Sequence, residues 1–130
     1  MAYAGTRLYP GEDDYTGLAA LHPHDPSTVY ISTNADPDTG EPLVSEADER
    51  RHHEIFEGVT ADGGQSWEWT PVTQDSTADN LRPIVPIWEH GGTALLWLRG
   101  SLRTYTDYDL DVIGLIDCCG EDGRVTPDLR

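Results

Sequence analysis

Lysine is absent from this 130-residue chain, and phenylalanine and methionine occur once each. All 8 basic residues are therefore arginine, against 24 Asp and Glu residues, and the formal net charge is −16. This charge argues against binding to DNA, RNA or an anionic membrane, because phosphate groups would be repelled. Three interpretations stay open: an ordinary solvated acidic surface, adaptation to high salt, where screening weakens carboxylate repulsion, and a GC-rich genome that replaces lysine by arginine.

Long apolar runs are missing as well. No stretch of about 18 apolar residues occurs, so we expect no membrane span, and the start of the chain lacks the pattern of a signal peptide. Cys118 and Cys119 are adjacent, which is not the spacing of a zinc site. We expect reduced thiols, because a disulfide between neighbours is strained. The nucleophile elbow, the phosphate-binding loop and the dinucleotide glycine motif are also absent.

The most informative stretch is Thr60–Trp67, which has the form Ser/Thr-x-Asp-x-Gly-x-x-Trp. Asp62 is placed to accept N–H groups of its own turn, and Thr60 to form a second local hydrogen bond. Gly64 supplies a position suited to positive φ, and the Trp67 ring can cover the turn as the next strand begins. The spacing predicts a rigid turn between two strands, with an ordinary Asp-Gly hairpin loop as the alternative.

Runs rich in β-branched and aromatic residues fill most of the chain and predict strands. We divide the chain into an initial loop at 1–14, a four-stranded unit at 15–73, an incomplete second unit at 74–117 and an acidic tail at 118–130. This repeat predicts an all-β fold of about two β-propeller blades. Because two blades cannot close a ring, we expect a fragment of a larger propeller, or self-association through open blade faces. A self-contained β-sandwich of seven strands is the alternative.

A long polar connection at 34–51 separates the second and third predicted strands. Loops of this length usually have a function, such as forming the rim of a binding site. Its acidic residues do not follow the calcium-binding EF-hand pattern, so we expect a solvated loop and no metal. Ser45 is placed to cap one helical turn at 45–51.

Thr60–Trp67 resembles the Asp-box of bacterial neuraminidase repeats, and a longer resemblance covers residues 14–117. It is carried by His-Pro-His-Asp-Pro-Ser-Thr-Val-Tyr-Ile-Ser-Thr-Asn, His-Glu-Ile-Phe-Glu-Gly-Val-Thr-Ala-Asp-Gly-Gly, Asn-Leu-Arg-Pro-Ile-Val-Pro and Ala-Leu-Leu-Trp-Leu-Arg-Gly. These phrases resemble the C-terminal part of the BNR-4 repeat-containing proteins, which are similar to ulvan-lyase-type polysaccharide lyases. The resemblance implies a secreted parent, a polysaccharide substrate, no cofactor, and a structural Asp-box on the blade edge, away from the active site.

The resemblance further implies β-elimination from an acidic, uronate-containing glycan, with His and Tyr as base and acid. Elimination requires that the uronate charge be neutralised, and Arg pairs with a carboxylate through two parallel hydrogen bonds. The catalytic candidates are His53 and Tyr105. The substrate-binding candidates are Arg82, Arg99 and Asn80. The plainer alternative pairs each Arg with one of the many carboxylates and leaves the histidines solvated at a loop end.

Two other functions stay open. A sialidase-like glycoside hydrolase would need three Arg, a Tyr–Glu pair and an Asp around a complete ring, of which two blades supply only a part. A non-catalytic glycan-binding or interaction propeller is the third class. The acidic surface conflicts with an anionic polysaccharide unless the site itself is rich in arginine or the salt concentration is high.

Overall fold

The structure is a computed structural model that describes residues 19–87, 92–104 and 106–117. Within these ranges the chain forms seven β-strands and no helix, which confirms the expected all-β class. The strands are β1 (Ala19–His22), β2 (Asp25–Thr33), β3 (Glu54–Val59), β4 (Glu68–Pro71), β5 (Asp79–Ile84), β6 (Thr93–Thr104) and β7 (Asp107–Asp117). The expected initial loop at 1–14 and the acidic tail at 118–130 lie outside the described residues.

The first sheet is an antiparallel meander in the order β1-β2-β3-β4. Ser32 lies opposite Ile55, and Ile31 lies opposite Phe56. Residues directly opposite each other in an antiparallel pair share one face of the sheet. Ile55 belongs to the buried core with Trp97 of the second sheet, so Phe56 and Ile31 point to the outer face.

The second sheet is also an antiparallel meander, in the order β5-β6-β7. β6 and β7 form a long hairpin of 12 and 11 residues. Gly100 lies in β6 with a φ of 149°. A Cβ atom at Gly100 would collide with the backbone oxygen of Asp109, so only glycine lets the two strands approach this closely.

The core lies where the two sheets meet. Tyr30, Ile55, Leu95 and Trp97 form its buried cluster, and β5 contacts β1, β2 and β3. Ile55 is fully buried, and burial of such a side chain stabilises a fold by roughly 1.5–3 kcal/mol. The chain therefore packs one sheet against the other mainly through β5.

The connection at 34–51 is ordered by local hydrogen bonds rather than by a helix. The Ser45 carbonyl accepts the N–H of Glu49 at 2.9 Å, and the Ser45 hydroxyl accepts the N–H of Ala47 at 3.1 Å. Glu49 then adopts a φ of 58°, which ends the turn. The expected helical turn at 45–51 is thus a single hydrogen-bonded turn. Two isolated antiparallel bridges also tie the connection together, Ala35 with Pro42 and Val44 with Arg51.

Candidate functional site

The turn between β3 and β4 has the hydrogen bonds that its spacing predicts. The Thr60 hydroxyl donates to Asp62 Oδ1 at 2.8 Å and accepts the N–H of Gly64 at 2.9 Å. Asp62 Oδ1 accepts the N–H of Ser66 at 2.9 Å, and Oδ2 accepts the Ser66 hydroxyl at 2.6 Å. The hydrogen bonds from the Ser66 hydroxyl, the Ser66 N–H and Thr60 lower the pKa of Asp62 to about 2.

Glycine and tryptophan complete this turn. Gly63 and Gly64 have φ values of 75° and 96°, which β-carbon-bearing residues rarely adopt. The Trp67 indole lies 3.7 Å from the position that a Cβ of Gly64 would occupy. Trp67 also stacks on Trp69, with ring centroids 5.8 Å apart and planes inclined by 26°. The turn is therefore rigid and partly covered by an aromatic ring.

The turn at 60–67, which we call the box turn, and the histidine pair lie at opposite ends of β3. His52 and His53 precede the first residue of this strand, and Thr60 follows its last residue. Six strand residues span about 17 Å at roughly 3.4 Å per residue. The candidate catalytic histidine lies at the end of β3 that follows the connection at 34–51. We call this end of β3 the loop end.

His53 is 2% exposed and is held by Asp79 at the start of β5. The backbone N–H of His53 donates to Asp79 Oδ1 at 2.9 Å, and ring Nδ1 lies 3.7 Å from the same oxygen. The other ring nitrogen, Nε2, is buried and has no hydrogen-bond partner among the described residues. Asp79 therefore lies on the Nδ1 side of the ring, and Nε2 lies in the interior without a hydrogen bond to the described residues.

His52 lies between two carboxylates. Its Nε2 lies 2.6 Å from Asp48 Oδ2, and its Nδ1 lies 3.6 Å from Asp79 Oδ1. The hydrogen bond from His52 lowers the pKa of Asp48. Burial opposes ionisation of Asp79, but the hydrogen bonds and charge of His53, with the charge of His52, lower the pKa of Asp79 overall. The two histidines thus share one carboxylate, and the loop end holds a mixed His–Asp cluster.

Asn80 joins the two sheets beside this cluster and is 1% exposed. Its amide nitrogen donates to the His53 carbonyl at 3.1 Å and to Glu54 Oε1 at 3.2 Å. Its amide oxygen accepts the indole N–H of Trp97 at 2.9 Å. These bonds use the Asn80 side chain inside the protein, so its position supports the His53 backbone. Substrate contact by Asn80 stays a prediction.

Sequence reasoning missed two acidic residues of the loop end, Glu54 and Asp79. The buried Glu54 carboxylate accepts the Thr73 hydroxyl at 2.7 Å, and the N–H and hydroxyl of Ser76 at 3.0 and 2.7 Å. These partners lie in the link between β4 and β5. Local sequence spacing does not predict these hydrogen bonds, because Thr73 and Ser76 are each about 20 residues from Glu54 in the sequence.

The two arginine candidates lie on neighbouring strands. Arg99 of β6 lies opposite Asn80 of β5, and its Nη2 donates to the Thr77 hydroxyl at 3.4 Å. Arg82 is exposed, lies within an irregularity of the β5–β6 pairing, and has a φ of 54°. Positive φ is unfavourable for a residue with a β-carbon and marks a constrained position. Tyr105, the proposed acid, lies outside the described residues.

A cleft of about 470 Å³ opens between the connection at 34–51 and β4, and Glu54 of the loop end is one of its lining residues. Its aromatic lining consists of Phe56 and Trp69. Neither Lys nor Arg is among its lining residues. Five carboxylates line the cleft, from Asp36, Asp38, Glu46, Glu54 and Asp75. Because these carboxylates would repel a negatively charged uronate, the cleft is unsuited to that ligand.

The described ranges hold no group of three or more His, Cys, Asp and Glu side chains arranged to bind a metal ion. They also contain no apolar helix of the length that would cross a membrane.

The fold places this chain in the all-β class, with two packed antiparallel sheets and polar side chains gathered at the loop end. Comparisons with protein-family models, with curated proteins and with solved structures find no match to the chain.

Proposed function

We propose that the chain forms two neighbouring blades of a larger β-propeller. Both sheets are meanders of consecutive strands, whereas β-sandwiches usually exchange strands between their sheets through Greek-key connections. β5 carries Pro83 and lies at an edge of its sheet among the described strands, a position that suits the innermost strand of a blade. Leu21 and Val112 are 68% and 50% exposed, which fits faces that further blades or copies would cover.

We propose that this propeller cleaves an acidic, uronate-containing polysaccharide by β-elimination at the loop end. The observation that carries the proposal is the His53–Asp79 pair, whose buried Nε2 has no partner among the described residues. Arg99 lies opposite Asn80, and the backbone N–H of Asn80 donates to the His53 carbonyl at 2.9 Å. Backbone pairing thus links the chain positions of the candidate base and of a candidate cation for the uronate through Asn80.

The proposed reaction needs no oxidant and no water. His53 Nε2 takes the proton on the carbon next to the uronate carboxylate, while Arg82 and Arg99 stabilise the enolate that forms. A carbon–carbon double bond then forms as the bond to the 4-linked sugar oxygen breaks. That oxygen receives a proton from the acid, for which Tyr105 is the candidate.

His53 is a better candidate base than His52. Both ring nitrogens of His52 face carboxylate oxygens, at 2.6 and 3.6 Å, and are not available to a substrate. His53 Nε2 is available but buried, so the proposal requires its ring to shift towards the substrate on binding. Catalytic hydrogen bonds commonly tighten only in the substrate complex.

The test follows the ultraviolet absorbance of the unsaturated product on uronate polysaccharides, using this chain and any longer natural chain that contains it. We expect absorbance from the longer chain and none from this chain alone, because two blades do not close the proposed ring. In the longer chain, His53→Gln should lower the activity at least roughly 100-fold, because the base is removed. His24→Gln, at an exposed turn, is the matched control and should keep full activity.

Three outcomes would overturn this proposal. Unchanged activity in a folded His53→Gln protein would exclude His53 as the base. Release of reducing ends without ultraviolet absorbance would indicate a glycoside hydrolase. Binding without either product would indicate a non-catalytic glycan-binding propeller.

A further inference from the structure

The acidic cleft continues along β4 into a second cavity of about 440 Å³. The two cavities share Asp38 and Trp69 as lining residues. Together they form one groove that follows β4 from Ser66 in the box turn to Asp75 in the link before β5. We call this feature the β4 groove.

One wall of the β4 groove is aromatic and fixed in place. Trp67 and Trp69 are partly exposed and stack with their centroids 5.8 Å apart. The Trp69 ring lies over Gly58, where a Cβ would collide with the indole. The box turn holds Trp67 through its packing against Gly64. The groove therefore presents flat aromatic surface on an element that is already ordered before a ligand binds.

The remaining lining of the β4 groove gives it a negative charge. Asp38, Glu46 and Glu68 are exposed lining residues, and no lining residue of either cavity is Lys or Arg. A uronate would be repelled here, whereas a protonated amine would be attracted by the carboxylates and by the indole faces. The charge of the β4 groove thus favours a cationic ligand.

We propose that the β4 groove binds a glycan that carries protonated amino groups. The apolar C–H faces of sugar rings would lie on Trp67 and Trp69, and the amines would face Asp38 and Glu46. A ring-shaped ligand fits the flat indole surface better than a flexible basic peptide does, because fewer torsions are immobilised. The groove opens on the Phe56 face of the first sheet, away from the core that joins the sheets, so this proposal does not depend on the lyase activity.

The first experiment titrates the intact chain with a glucosamine oligomer and with an N-acetylglucosamine oligomer of equal length, following tryptophan fluorescence. We expect the amine-bearing oligomer to bind at least roughly tenfold more tightly, since acetylation removes its charge. We also expect its affinity to fall as sodium chloride is raised, because exposed charges are screened.

Substitutions test whether the glucosamine oligomer binds in the β4 groove. We expect Asp38→Asn combined with Glu46→Gln to weaken binding roughly threefold to tenfold, since two exposed charge interactions are lost. The matched control, Asp109→Asn with Asp111→Asn on β7, makes the same change in net charge outside the groove and should change affinity less than about twofold. Trp67→Ala should weaken binding, while Trp67→Phe, which keeps a ring, should weaken it less.

Four outcomes would overturn the inference. Equal affinity for the acetylated oligomer would show that charge plays no part. An equal loss in the β7 control would indicate general attraction to an acidic surface. Tighter binding of oligolysine, insensitive to Trp67→Ala, would make the groove a basic-peptide site. Absence of binding by a folded protein would exclude the groove as a glycan site.

Discussion

Side-chain hydrogen bonds stabilise both ends of β3, but the bonded residues lie at very different separations along the sequence. At the box end, Asp62 bonds to Thr60 and Ser66, two and four residues away. At the loop end, Asn80 bonds to His53 and Trp97, 27 and 17 residues away. The first set forms whenever the local turn forms, whereas the Asn80–His53 bond requires both sheets to be in place and the Asn80–Trp97 bond requires β5 and β6 to pair.

The two ends also differ in burial. Asn80 is 1% exposed, whereas Asp62 is exposed to water. A buried polar group that loses its partner keeps the full cost of desolvation, while an exposed group exchanges its partner for water. We therefore expect substitutions at the loop end to change stability most.

The largest effect is expected from Asn80→Ala. This change leaves the Trp97 indole N–H without its acceptor and the Glu54 carboxylate without one donor, both inside the protein. The free energy of unfolding should fall by about 3 kcal/mol. Urea denaturation followed by circular dichroism measures this change.

Trp97→Phe is the companion variant for that experiment. Alone it should cost about 1–2 kcal/mol, because one hydrogen bond and some packing are lost. Combined with Asn80→Ala it should cost less than the sum, since both variants break the same hydrogen bond. Strict additivity would show that the Asn80–Trp97 hydrogen bond, which joins β5 to β6, does not contribute to stability.

An intermediate effect is expected from Thr60→Val at the box end. Valine keeps the shape of threonine but removes the hydroxyl that bonds to Asp62 and Gly64. The free energy of unfolding should fall by about 1–2 kcal/mol, again measured by urea denaturation. A larger loss of unfolding free energy in Thr60→Val than in Asn80→Ala would contradict the expectation that the loop end contributes more to stability than the box end.

The smallest effect should appear as a difference in acid stability. The pKa of Asp62 is about 2 in the fold against an ordinary value of 3.8, so its contribution is present above pH 3.8 and lost as pH falls towards 2. Asp62→Asn removes this titration. Thermal melts between pH 5 and about pH 2 should show a steeper loss in the unmodified protein than in the variant, and parallel curves would contradict this assignment.

Strands and the box turn could be predicted because their signals are local. The predicted turn lies between β3 (Glu54–Val59) and β4, and the Thr60 hydroxyl bonds to the Asp62 carboxylate as their spacing predicts. The positions of the two histidine rings were not predicted, because both lie beside the same oxygen, Asp79 Oδ1, at 3.6 and 3.7 Å.

The partners of the loop end could not be predicted in the same way. Glu54, Ser76 and Asp79 are ordinary polar residues in the sequence, and their importance comes from contacts across 20 or more residues. Arg82 has a positive φ where the pairing of β5 with β6 is irregular. No sequence motif predicts this conformation. The acidic groove likewise needs the connection at 34–51 to fold over β4.

The sequence by itself determined the all-β class, the box turn and the acidic character of the chain, because each depends on residues close together or on composition. Only the tertiary structure decided which carboxylate supports His53, that Asn80 is used internally, and that tryptophans and acidic side chains share one groove. The physical reason is that buried polar groups find their partners only when distant strands pack, and those partners are then set by topology rather than by spacing.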